Sequence, residues 1–272
     1  MTVRRHLALL LSLGASLTLA VGCSGGDTVS LESVAQAATK TQAAGSSRMA
    51  MVVSMTMEGK RADLVAEGAF DYKRSRGWMD MDLGGLGPLG AVPTPGGVVR
   101  ILIDGDTVFM RLPPSLRSAT GGRPWGRTSA GSGALVNGMS QPDPSSMLES
   151  LRGLSDSLEN AGRVRVRGVP TTHYRATVDM AKALAQAGAA ERAQAEAMLK
   201  FVGGLDEIPV ELYIDDADRV RRMEMKYEFK LMNQTMTMEF KMELFDFGEP
   251  VKFKRPASHE VAELSSALGS GR

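Results

Sequence analysis

Two stretches toward the C-terminus alternate apolar with charged or polar residues without a break. Met223, Met225, Tyr227, Phe229 and Leu231 are interleaved with Glu224, Lys226, Glu228 and Lys230, and Met236, Met238, Phe240, Met242 and Leu244 with Thr237, Glu239, Lys241 and Glu243. A period of two collects the apolar residues on one face of an extended chain, whereas a helix would scatter them around its axis. The two runs therefore predict strands, Arg219 to Met232 and Thr235 to Phe247, in an antiparallel sheet with one wet face and one covered face. The pattern recurs early in the chain, where Met49, Met51, Val53, Met55 and Met57 alternate with Ala50, Val52, Ser54, Thr56 and Glu58.

Shorter runs fill the interval. Ala62 to Lys73, Arg76 to Leu83, Val98 to Asp104, Thr107 to Leu112, Arg163 to Arg167, Thr171 to Val178 and Pro209 to Ile214 read as strands, with Asp104-Gly105 closing a tight hairpin. Gly84 to Gly97 is mostly Gly and Pro and reads as a loop, and a polar loop follows Trp125. Three helices are expected: a short one within Thr28 to Ala44, one from about Pro144 with Met147, Leu148, Leu151, Leu154 and Leu158 at helical spacing and Gly162 as its stop, and an Ala-rich one capped by Asp179 and running to Val202. About eleven strands with helices inserted rather than alternating imply an α+β fold, a large curved antiparallel sheet with helices over its concave face.

The first residues bear on location. Arg4 and Arg5 precede an uncharged Leu/Ala-rich run from Leu7 to Val21, the outline of a secretory signal. It ends on small residues before Cys23, the chain's one Cys, and so resembles a bacterial lipobox in which the thiol is acylated. Two or three acyl chains hold a protein stably on a membrane where one does not. The expected organisation is a signal over residues 1–22, a tether and short helix over 23–45, a binding domain over 46–255 and a tail over 256–272. The mature protein is then expected at the outer face of the cell membrane, attached through Cys23. The 32 basic and 31 acidic residues balance, so there is no electrostatic footprint for nucleic acid.

A set of segments occurs in a telling order: the lipobox, Arg100 to Pro113, Arg123-Pro124-Trp125, Gly168 to Ala176, Ile208 to Asp216, and Asp246 to Val251. Together they resemble the actinobacterial LppX/LprG family of lipoproteins, which is similar in fold to the periplasmic carriers LolA and LolB. The resemblance implies a U-shaped half-barrel whose concave face, covered by helices, encloses a cavity for acylated lipid or glycolipid. On that basis the cavity residues expected are Met51, Val53, Met55, Met57, Met81, Met110, Met223, Met225, Tyr227, Phe229, Met236, Met238, Phe240 and Met242. The Met content stands apart from the resemblance. Met has three rotatable bonds and a polarisable sulfur, so a Met-lined wall can repack around chains of different length, although the same residues can also fill an ordinary core.

Catalytic patterns fail on context. Gly22-Cys23-Ser24-Gly25-Gly26 matches GxSxG without the strand and helix a nucleophile elbow needs. The chain has only three His, too scattered for a zinc site, and no catalytic residue, metal ligand or cofactor is assigned. His173 reads as a polar surface or cap residue. Asp215, Asp216 and Asp218 read as a hairpin turn rather than a calcium loop. Trp78 and Trp125 read as packing residues that could also stack on a sugar or headgroup. The basic sets Arg219, Arg221, Arg222 and Arg163, Arg165, Arg167 read as solvated strand residues that could attract anionic headgroups. The expected activity is non-enzymatic lipid binding and carriage, the partners being lipid and membrane. Two other readings stay open: a lipid-responsive sensor acting through a membrane transporter or sensor partner, and a structural envelope lipoprotein with a filled core.

Overall fold

A computed structural model describes residues 31–89, 97–129, 158–186, 192, 202–203, 206–231 and 234–264. Cys23, residues 90–96, the region of the middle helix before Leu158 and most of the Ala-rich helix lie outside the described residues. The chain begins with α1 (Leu31–Ala43), followed by β1 (Ser46–Met57), β2 (Lys60–Asp71) and β3 (Arg76–Asp82). Next come β4 (Val98–Asp104), β5 (Thr107–Arg111), β6 (Trp125–Ser129), β7 (Glu159–Val166) and β8 (Val169–Asp179). After α2 (Met180–Gln186) come β9 (Val202–Gly203), β10 (Glu207–Asp215), β11 (Val220–Leu231), β12 (Gln234–Phe245) and β13 (Val261–Glu263).

All thirteen strands of the described residues join one open, curved sheet in the order β13-β6-β5-β4-β3-β2-β1-β12-β11-β10-β8-β7, with β9 pairing on β11. Every pairing is antiparallel except that of β13 with β6. Two meanders, β1 to β6 and β7 to β12, are thus joined side by side through β1 and β12. The expected α+β architecture of a large curved sheet holds, with more strands than the alternation revealed. Trp125 opens β6 rather than a loop. β9 and β13 are two and three residues long, too short to show a period.

One helix boundary differs. Leu158 and Gly162 were expected to end a helix, yet β7 starts at Glu159. Gly162 lies beside a bulge in the pairing with β8, with φ of 101°, and its N–H donates to Asn160 Oδ1 at 2.9 Å. A glycine that stops a helix and one that permits a bulge have the same sequence signature, positive φ at no steric cost. Gly84 to Leu89, expected as loop, forms a short 3₁₀ turn. The Asp179 cap is present, its Oδ1 accepting the Lys182 N–H at 3.1 Å.

The core lies on the inner face of the sheet. Ala37 and Ala38 of α1 pack in one cluster with Met49, Met79, Met81, Ile101, Val108, Leu212, Val220, Met223, Met242 and Leu244. Ala37 and Ala38 are small enough to let α1 sit close, and a hydroxyl fixes its place. Thr41 is fully buried, donating to Ala37 O at 2.7 Å and accepting the Val220 N–H at 2.9 Å. That bond satisfies the backbone donor at the start of β11 and ties helix to sheet across 179 residues of sequence. Thr41→Val keeps the shape but orphans the Val220 N–H, so it should lower stability by about 1–3 kcal/mol in urea unfolding. An unchanged unfolding midpoint would show that α1 is held by its apolar contacts alone.

Candidate functional site

Register decides which side chains share a face. Met51 stands opposite Met242, which stands opposite Met223; behind them follow Val53, Phe240 and Met225, then Met55, Met238 and Tyr227, then Met57, Met236 and Phe229. These four tiers place twelve of the fourteen expected cavity residues on one face, and that face is the inner one, since Met223 and Met242 belong to the core. The remaining two share it. Met81 pairs with Ala66, the partner of Met51, and Met110 pairs with Ile101, the partner of Met79.

The tiers differ in burial. The first runs through Val99, Met81, Ala66, Met51, Met242, Met223, Leu212 and Tyr174 across eight strands, and Met81, Met223 and Met242 are at most 2% exposed. The second, Leu64, Val53, Phe240, Met225, Val210 and Ala176, is also wholly apolar, yet Leu64, Val53, Phe240 and Met225 are only half-buried. In the third, Met55, Met238 and Tyr227 are half-buried as well, and in the fourth Met57 and Phe229 are, while Met236 is buried. Met81, Met223 and Met242 therefore fill the core, while the second and third tiers form an apolar band with contact area left over. Leu64, Tyr174, Val178 and Ile208 extend this face and were not among the residues picked from the sequence. The alternation Tyr174, Ala176, Val178 was the signal for the β8 members.

One polar atom interrupts the band. The Tyr227 hydroxyl donates to Met238 Sδ at 2.9 Å, a weak acceptor that leaves the oxygen's own lone pairs unused. Burial pushes the Tyr227 phenol above its ordinary pKa, so it stays neutral. The described residues contain no cluster of His, Cys, Asp and Glu able to hold a metal ion.

The outer face of the same strands carries the charges. Arg61 and Lys226 flank Glu239, and Arg167 and Arg222 donate to the two oxygens of Glu243 at 2.7 and 2.9 Å. Burial opposes the charge on Glu243, but these guanidinium groups and Lys241 hold it below the usual carboxylate range. His173 is buried flat against Tyr213, ring centroids 4.5 Å apart, with Nε2 3.1 Å from Glu211 Oε2. The Tyr213 hydroxyl donates to Glu211 at 3.0 Å and Glu224 at 3.2 Å, and burial and these carboxylates raise its pKa. The arginines singled out for headgroups are largely committed: Arg163 to Asp216, Arg165 to the Gly168 carbonyl, Arg167 and Arg222 to Glu243, and Arg219 and Arg221 to Asp215.

Chain comparison gives partial likenesses. No family model matches. The chain is 25% identical over 176 residues to an uncharacterised 31.2 kDa protein of the rplA-rplJ intergenic region of Streptomyces griseus, a match covering 61% of this chain and 56% of that protein. Among solved structures, it is similar to LprF from Mycobacterium bovis, with TM-score 0.47, 16% identity, and coverage of 84% of this chain and 97% of that one. It is also similar to the lipoprotein LppX of Mycobacterium tuberculosis, with TM-score 0.46, 15% identity, and coverage of 82% and 97%.

Asp215 anchors the turn between β10 and β11 as the sequence suggested. Its Oδ1 accepts the Ala217 and Arg219 N–H groups at 3.0 and 2.9 Å, and Oδ2 accepts from Arg221 at 2.6 Å. Burial disfavours its charge, but the Arg219 N–H and both guanidinium groups outweigh that and hold the carboxyl below its ordinary pKa. A depressed pKa adds stability that is present above the unfolded value, about 3.9, and lost as pH falls through the folded one. Asp215→Asn should therefore cost about 1–3 kcal/mol at neutral pH, with the gap to wild type narrowing below about pH 4. Stability curves that stay parallel from neutral pH to acid would contradict this role.

Proposed function

We propose that the protein is a non-enzymatic lipid-binding lipoprotein, tethered through an acylated Cys23 to the outer face of the cell membrane. In this reading the acyl chains of a lipid or glycolipid lie along the second and third tiers of the inner face, and the protein carries or presents that cargo in the envelope. The supporting observation is the half-burial of Val53, Met55, Met225, Tyr227, Met238 and Phe240 on a face that is otherwise apolar. Full burial of side chains of this size is worth about 1.5–3 kcal/mol each, so a folded chain that leaves several half-exposed side by side forgoes several kcal/mol. An acyl chain recovers that energy at about 0.8 kcal/mol per CH₂. Met supplies a wall that adapts to chain length.

A tether and a cargo site make different demands on lipid. The anchor needs only covalent acyl chains at the N-terminus, whereas the cargo site needs an apolar surface that releases what it binds. Half-buried Met suits release, because the apo face loses little packing when the ligand leaves.

Met238 tests the assignment because it sits in the third tier, between Met55 and Tyr227. Where space is available, Met238→Trp should leave the ligand-free melting temperature close to wild type and abolish binding of a fluorescent long-chain fatty acid. In a filled core the added volume would cost about 1–3 kcal/mol and several degrees. A destabilised variant that binds the probe as wild type does would reject the inner face as the lipid site.

A further inference from the structure

The chain does not end with β12. Beyond Phe245 it crosses the outer face of β3 to β6 and finishes as β13, parallel to β6 at the sheet edge. Arg255 joins Asp104, Phe253 lies under the Arg76 guanidinium at 5.6 Å, and Arg123 donates to the Val261 carbonyl at 2.6 Å. Leu264 then turns inward against Gly126, where any Cβ would collide with it. Between this crossing segment and the sheet lies a cavity of about 950 Å³, on the opposite side from the inner face.

The lining combines three chemistries. Trp78 and Trp125, the only two Trp of the chain, both face this cavity and both are half-buried. Four cations line it, and they are not equivalent. Arg100 is held in a two-pronged pair with Asp80 and stacks on Trp78 at 5.6 Å, while Arg255 is held by Asp104. Lys252 and Lys254 are exposed and have no carboxylate partner among the described residues. The lining carboxylate is Glu260, whose Oε2 accepts the Ala257 N–H at 3.2 Å, leaving Oε1 open.

We infer that this cavity is a second binding site, for a phosphorylated saccharide. Two indoles offer flat apolar faces on which the C–H face of a sugar ring packs. Two free ammonium groups offer charge-assisted donors to a phosphate. Glu260 separates this ligand from a simple anion, because its Oε1 offers an acceptor that the charged oxygens of a bare phosphate dianion cannot use, whereas a sugar hydroxyl donates to it. An acyl chain is disfavoured by the charged rim, which it could not satisfy. The same chemistry is presented by a free sugar phosphate and by the phosphorylated polyol headgroup of a lipid.

Because no other Trp exists in the chain, intrinsic fluorescence reads this cavity directly. In the full chain, glucose 6-phosphate should give a saturable change at up to millimolar concentration, with glucose and inorganic phosphate each far weaker. Phosphatidylcholine vesicles containing phosphatidylinositol, set against phosphatidylcholine alone, form the second arm: a response there and not with the free sugar identifies a lipid headgroup as the source. Replacing both Lys252 and Lys254 by Ala should weaken whichever response is seen by about tenfold or more. Those two exposed side chains make no ion pair or hydrogen bond among the described residues, so the melting temperature and fatty-acid binding on the inner face should not move. A response to neither probe, an equal response to inorganic phosphate, or an undiminished response in the lysine variant would overturn the site.

Discussion

The pairing of β1 with β12 is the contact on which the rest depends. Ten consecutive residue pairs, from Arg48 with Phe245 to Met57 with Met236, join the two meanders into one sheet. Side chains alternate across a sheet with a period of two, so a slip of one residue here would send Met51, Val53, Met55 and Met57 outward and bring Ser54 and Thr56 inward. Correct register aligns apolar side chains from both meanders into common tiers, and the cross-strand neighbours then stabilise the pairing that placed them. α1 is tied to the neighbouring strand, β11, through Thr41 and the Val220 N–H.

Once the register is set, the two faces have different chemistry and different tasks. On the inner face, Met49, Met223, Met242 and Leu244 are buried in one cluster with Ala37 and Ala38 of α1, while Met51 and much of the second and third tiers are half-buried, so one continuous surface serves as core at one end and as apolar band at the other. On the outer face of β1, β12, β11 and β10, opposite charges face each other across strands, Lys226 with Glu239 and Arg222 with Glu243. The exposed Lys226–Glu239 pair adds little stability, whereas Glu243 is largely buried and depends on its guanidinium partners; together the charges keep the outer face soluble and fix which face turns inward. The outer face of β3 to β5 departs from this scheme: Leu102 and Phe109 are 6% and 7% exposed there, beneath the segment that follows β12.

Much of this was legible in the sequence because the signal was periodic. The alternations in Met49 to Met57, Met223 to Leu231 and Met236 to Leu244 gave the central strands and the face they share. The Asp215 turn and the Asp179 cap followed from residue chemistry. What escaped was non-periodic or non-local. β9 and β13 are too short to show alternation, and β13 depends on a neighbour more than 130 residues away in sequence. Gly162 carried the same local signature for a helix stop and for a bulge. The run Ile101-Leu102-Ile103 already broke the one-sided pattern, as a strand covered on both faces should. What covers it, the crossing segment, can be found only in three dimensions. The roles of the arginines were equally hidden, since nothing in the order of residues says that Arg167 and Arg222 converge on Glu243.

The central claim is that the inner face holds acyl chains rather than completing a closed core. Mass spectrometry of the organic extract from the chain beginning at Ser24, purified without the acylated cysteine and without detergent, tests it most directly. The account predicts acyl-bearing lipid in near-stoichiometric amount, depleted when Met238 is replaced by Trp. A well-folded protein that yields no lipid, and takes up none when offered it, would contradict the account and leave these methionines as the packing of an ordinary core.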